Sequence, residues 1–233
     1  MDAESKWNAL EELSSSFSDC TMCGLCDPKG RERRNVVFGS GDPNASILIV
    51  GEAPGEREDE IGDPFVGQAG VLLDKYLKSF CADRDDVFLC NVVCCRPTEE
   101  HDPRKNRKPS KAEILACRER LDRTIEIVDP YIVVLLGSVA MKTLTKTTRG
   151  ITTIAKTKDP TRLTCTTEGI FGEVKRPAIA TFHPSYLLRN DSMAEGSDLH
   201  MTYLAFQRAF RLADSFKKIY EGIEIPYRGE DDE

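Results

Sequence analysis

Four short runs of aliphatic and β-branched residues, at 47–50, 87–90, 131–136 and 178–181, each stop at a glycine or a polar segment, with helical patterns between them. Runs that are apolar at successive positions suit strands buried on both faces. Strands alternating with helices build a parallel sheet flanked by helices. The expected fold is a single-domain three-layer α/β/α arrangement around a central, mainly parallel four-stranded sheet. Helices are expected over 7–17, 70–80, 110–127, 138–145 and 199–220, and the Thr-rich stretch after 145 reads as irregular. One domain is expected over 1–229, including an N-terminal cysteine-bearing segment, followed by an acidic tail at 230–233.

In an open parallel sheet, ligands bind beyond the carboxyl ends of the strands. Three polar or Gly-rich segments follow strands, at 51–55, 91–96 and 183–189, and are candidates for one shared site. Gly51-Glu52-Ala53-Pro54-Gly55 has no Gly-Lys-Ser/Thr after it and is not G-x-G-x-x-G, which removes weight from nucleoside triphosphates and dinucleotides. Of the three histidines, His183 follows a strand and precedes Pro184-Ser185, whereas His101 and His200 have no such context.

A net charge of -7 argues at first against a polyanionic partner. Much of the acidity is local, however: 56–63 holds five acids against one Arg, and the tail 230–233 is wholly acidic. In contrast, 104–120 holds seven basic residues and two acids, readable as a solvated helix face or as a phosphate-binding patch. No apolar stretch approaches the roughly 20 residues needed to span a bilayer. The N-terminal residues lack the apolar core of a signal peptide. An intracellular protein without a membrane partner is expected.

Nine cysteines in such a chain call for a reason other than disulfides. Cys20-Thr21-Met22-Cys23 has the spacing for two thiolates on one metal, and Cys95 and Cys117 flank the basic run. Four thiolates suit zinc or an iron-sulfur cluster equally, and Cys26 and Cys94 are rival ligands. Cys81, Cys90 and Cys165 are expected to be buried as small apolar side chains.

The motifs Val37-Phe38-Gly39-Ser40-Gly41, Gly51 to Glu56, Pro64-Phe65-Val66-Gly67, Asn91-Val92-Val93-Cys94-Cys95-Arg96-Pro97 and His183-Pro184-Ser185 occur in this order. Together they resemble the family 4 uracil-DNA glycosylases, from about Cys20 to Arg189. The resemblance implies release of uracil from DNA, with a [4Fe-4S] cluster on Cys20, Cys23, Cys95 and Cys117; zinc is the alternative. It implies that Phe65 stacks on the flipped base, that Asn91 reads its edge, that His183 donates to uracil O2, and that Glu58 lies near uracil C5. Ala53 stands where better-known uracil glycosylases have an Asp, so Glu52 is the nearest candidate for positioning water, with the main chain of Ala53 and Gly55 lining the pocket. Ser185, Arg189, Arg107 and Lys108 are expected on the DNA backbone, and Tyr186, Leu187 or Leu188 in the space the base leaves. Uracil-containing DNA is the implied partner of a monomer with no obligate protein partner. A non-catalytic DNA-binding or assembly module that keeps the fold and cluster is the competing reading.

Overall fold

The structure, a computed structural model, describes residues 1–26, 35–157, 163–169, 172–189 and 192–220, so the acidic tail lies outside the described residues. The chain runs through α1 (Ala3–Ser16), β1 (Ser40–Gly41), β2 (Ile47–Gly51), α2 (Glu56–Ile61), α3 (Gln68–Lys78), β3 (Phe88–Asn91), α4 (Lys111–Ala116) and α5 (Arg118–Val128). It continues through β4 (Ile132–Leu136), α6 (Gly137–Leu144), α7 (Ile151–Ala155), β5 (Leu163–Gly169), β6 (Gly172–Thr181), α8 (Pro184–Leu187) and α9 (Asp198–Tyr220).

The four expected strands are the parallel centre of the sheet, but the sheet has six strands rather than four, in the order β1-β3-β2-β4-β6-β5. The two additions are antiparallel edges: β1 on β3, and β5 on a β6 that starts earlier than expected. The stretch expected to be irregular after 145 therefore contains β5. Its signal is alternation, since Leu163, Cys165 and Thr167 are buried while Thr164 is exposed. Five Thr, Gly and Glu residues among seven mask that period of two.

Side-chain alternation splits the core in two. Leu48, Val50, Phe88, Cys90, Val133 and Leu135 face a layer that includes Leu10, Leu13, Leu121, Ile125 and Met141. Ile47, Ile49, Leu89, Ile132, Val134 and Leu136 face Leu73, Leu77, Phe206 and Ala209. In α9 the buried Leu199, Thr202, Ala205, Phe206, Ala209 and Ala213 recur at helical spacing and form one stripe against the sheet. Among the described residues, no helix is long and apolar enough to cross a membrane.

The expected helix over 110–127 breaks in two at Cys117, which caps both α4 and α5. Ser110 starts α4 as a capping box with Glu113. Cys90 and Cys165 are buried as expected, whereas Cys81 is exposed, because it sits with φ 56° in the turn that leaves α3.

Candidate active site

The parallel strands end level with one another, Gly51 beside Asn91 and Leu136 beside Thr181. The segments leaving them enclose a cleft of about 920 Å³ at the carboxyl edge of the sheet, and Glu52, Ala53, Gly55, Glu58, Phe65, Asn91 and His183 all line it. A smaller cleft of about 460 Å³ lies elsewhere, among Thr145, Arg149, Thr166 and Lys175.

Glycine at 51 is a requirement of close approach. A Cβ there would collide with Asn91 Oδ1 and stand 2.6 Å from Phe65 Cζ. The Phe65 ring centroid is 6.2 Å from that of His183, with the planes 28° apart. Phe65 has φ 56°, unusual for a bulky side chain. Arg84 holds that turn: it donates to Pro64 O at 3.1 Å and to Phe65 O, and its Nε donates to Asp74 Oδ1 at 2.8 Å. Gly70 lets the Phe65 carbonyl lie against the start of α3, where any Cβ would collide with it. Nothing in the sequence pattern marks Arg84 for this task.

Glu58 is buried, and both its oxygens are engaged. Oε2 accepts from Gly55 N–H at 3.1 Å and Oε1 from Gly67 N–H at 2.8 Å. The carboxylate thereby ties the loop after β2 to the loop before α3 at the cleft wall. Of its acidic neighbours, Asp59 is buried, while Glu56 and Glu60 are exposed and pair with Arg96 and Arg57.

His183 caps α8. Its Nδ1 accepts from Ser185 N–H at 3.2 Å and lies 2.8 Å from Ser185 Oγ. A main-chain N–H cannot accept, so Nδ1 is unprotonated and a neutral ring carries its proton on Nε2. Beneath it, Gly137 has φ 88°, and a Cβ there would stand 3.1 Å from His183 Cβ. Burial pushes the imidazole down to about 4. The unfolded chain therefore binds more protons than the folded one between about pH 6.5 and 4. Stability should fall as pH drops through that window, by about 3 kcal/mol at most. His183→Gln should flatten this part of a plot of denaturant midpoint against pH; equal slopes in variant and wild type would rule the effect out.

Burial likewise raises the Glu52 carboxyl above its usual range, and the Lys108 charge partly opposes the shift. Lys108 stands at the cleft because residues 98–106 form a hairpin, with Thr98 bridged to Asn106. Arg96 locks the hairpin by donating to Asn106 Oδ1 at 2.7 Å, to Arg104 O at 3.1 Å and to Glu56 at 3.2 Å. Neither Arg96 nor Asn106 had a role assigned from sequence, although Arg96 stands inside a motif.

Ser185, Arg189, Arg107 and Lys108, the residues expected on the DNA backbone, line the cleft. Two expectations for DNA contacts need correction. Leu187 is 1% exposed and packs in the core, because α8 turns it inward; Tyr186 at 47% and Leu188 at 43% are the exposed apolar residues of that turn. Arg107 is not a free cation: its guanidinium is bidentate to Glu113 at 2.9 and 2.6 Å and also donates to Thr98 O. Four other members of the basic run are similarly reduced. Arg104 and Lys105 pair with Asp102, Arg118 pairs with Asp122, and Arg120 is buried.

The cysteines expected as ligands come from three segments. Cys20 and Cys23 follow α1, Cys95 follows β3, and Cys117 is the joint of α4 and α5. Burial pushes the Cys23 thiol up, and Cys117, Cys20 and Glu113 act on it in the same direction. Burial raises Cys94 to about 12, with Arg120 opposing and Cys117, Cys95 and Cys90 adding to the shift. Among the described residues, no three Cys, His, Asp or Glu side chains are gathered in metal-holding geometry.

The family model described as the uracil DNA glycosylase superfamily matches residues 38–211. A type-4 uracil-DNA glycosylase of Thermotoga maritima is 39% identical over 183 residues, 78% of this chain and 85% of its own. One of Sulfurisphaera tokodaii is 37% identical over 223 residues, 95% of this chain and 88% of its own. One of Archaeoglobus fulgidus is 34% identical over 192 residues, 80% of this chain and 88% of its own.

Proposed function

The chain belongs to the uracil DNA glycosylase superfamily and, within it, to the type-4 uracil-DNA glycosylases, and from that membership we propose that it flips uracil out of DNA and hydrolyses the N-glycosidic bond, leaving an abasic site. The observation that carries this reading is the meeting of Phe65, Asn91 and His183 around Gly51 and Gly137 in one cleft. A glycosylase must hold an extruded base in a pocket that reads its Watson–Crick edge. Phe65 offers the stacking face. The Asn91 amide accepts from uracil N3–H and donates to O4; cytosine presents the reverse pattern, so one amide orientation rejects it.

Breaking the bond leaves negative charge on the departing uracil. A preorganised donor at O2 stabilises that charge, and the neutral His183, with its proton on Nε2, is suited to the task. Glu52, half-buried beside Lys108, holds the attacking water and faces the positive charge that develops on the sugar. Glu58 acts through the loops it ties, placing the Gly55 and Gly67 main chain around the base. Ser185, Arg189 and Lys108 take the DNA backbone, Tyr186 and Leu188 fill the vacated stack, and Arg107 acts by holding the hairpin that carries Lys108. The enzyme acts as a monomer on DNA.

An all-sulfur donor set is the chemistry of an iron-sulfur or structural zinc site. Cys20, Cys23, Cys95 and Cys117 would hold a [4Fe-4S] cluster, and the buried Arg120, with unmet N–H groups among thiols, fits an anionic group at this place. Bound there, the cluster supplies a crosslink between the N-terminal segment and the α4–α5 joint. The purified protein should be brown with visible charge-transfer absorption, and Cys117→Ser should lose iron; a colourless protein that contains zinc would refute the cluster.

A single-uracil oligonucleotide tests the activity. After incubation and hot alkali the strand should be cut at the uracil, and without alkali it should stay intact, because Lys108, which lines the cleft, serves the DNA backbone and is not assigned as a Schiff-base nucleophile. An uncut strand overturns the reading, and retention of uracil DNA without base release would favour a non-catalytic binding module.

A further inference from the structure

The largest fully buried side chain of the described residues is a cation that the pocket chemistry leaves unused. Arg120 lies in the first turn of α5, three residues beyond Cys117, and is 1% exposed. Its Nη2 donates to the main-chain carbonyls of Asn91 at 2.6 Å and Val92 at 3.0 Å, where β3 gives way to the segment leading to Cys94 and Cys95. Its Nε and Nη1 are buried and meet no oxygen acceptor, the side-chain partner beside the guanidinium being the Cys90 thiol. The ionisable groups acting most strongly on it are the thiols of Cys94, Cys90 and Cys117, and the Phe38 ring centroid lies 5.9 Å from its Cζ.

A guanidinium in such a place needs an anion. An uncompensated buried charge is strongly destabilising, and protonated thiols are weak acceptors. Thiolates bound to iron are different, because a cluster held by four of them is net negative and its sulfurs accept hydrogen bonds that tune it. The arrangement of donors around Arg120 is therefore half complete: one nitrogen serves the base pocket, and the other two are available to the sulfur side.

We propose that Arg120 is a positioning residue that joins the two halves of the site, as internal counter-ion of the cluster and as the donor that pins the main chain of Asn91. The inference rests on the roles given above to Asn91 and to the thiolates. It follows that loss of the cluster disturbs base recognition without any contact between cluster and DNA. A guanidinium deprived of its anion is drawn toward water, and the 91–92 main chain loses its anchor.

The test compares Arg120→Met and Arg120→Lys with wild-type holoenzyme, measuring iron release to a chelator, single-turnover uracil release, and the Kd for a uracil oligonucleotide. Arg120→Met should lose iron about tenfold faster or more and release uracil about tenfold more slowly or worse, the scale of outer-shell substitutions, with Kd little changed. Arg120→Lys keeps the charge and should retain iron within about threefold of wild type, yet still release uracil slowly, because a compact ammonium does not reproduce the planar fork. Iron retention in Arg120→Met equal to wild type overturns the proposal, as does equally fast loss from both variants, which would mark a packing role alone. Wild-type protein without iron also overturns it. An inert wild-type enzyme that holds iron would overturn the glycosylase reading instead, and the iron-release comparison would still decide the counter-ion role.

Discussion

Asn91→Ala lowers single-turnover uracil release by about 10³-fold. The substitution leaves two polar groups of a buried uracil, N3–H and O4, without partners, each at about 1–3 kcal/mol. Together they amount to about 4 kcal/mol, or some three decades of rate. The fold should survive, because the Arg120 contact at this position is to the main-chain carbonyl and not to the side chain. Asn91 is 2% exposed at the end of β3 but lines the cleft, so trimming its amide enlarges the pocket rather than opening a void in the core. A rate within tenfold of wild type, with an unchanged melting temperature, would remove Asn91 from base recognition.

His183→Ala should cost about 10²–10³-fold in kcat, the range for deleting one preorganised donor to a developing oxyanion. The neutral state sharpens the expectation. Because burial holds the imidazole down to about 4, protonation of this ring should leave no inflection in the rate between about pH 5.5 and 8. A His183-dependent inflection near the ordinary histidine value of about 6.5 would show that a cationic ring does the work. Combined with Asn91→Ala the losses should fall short of their sum in free energy, since both side chains hold the same base in one cleft.

The fold was legible wherever a local pattern carries it. The four parallel strands read directly because strands buried on both faces are continuous in aliphatic residues. The β5 edge strand escaped because only one of its faces is covered and its buried positions include Thr167. The break at Cys117 also escaped, since residues on both sides of it have helical character. For the cleft, residue types and order were enough to collect Glu52, Asn91 and His183 in one place, whereas Phe65 came from the family resemblance.

What the sequence determined by itself is the parallel centre of the sheet and the set of polar segments at its strand ends. Hydrophobic periodicity acts between near neighbours and is written in the order of residues. What only the tertiary structure decided is which groups remain free to act. Glu58 is spent on two amides, Arg107 on Glu113, and Leu187 on the core, leaving Lys108, Arg189, Tyr186 and Leu188 at the surface. The same holds for Arg84, which sets the Phe65 backbone from 19 residues away, and for Arg120, which reaches back 29 residues to Asn91. Hydrogen bonds and ion pairs are satisfied by whichever partner lies within about 3 Å, and that distance is set by the folded chain, not by separation along it.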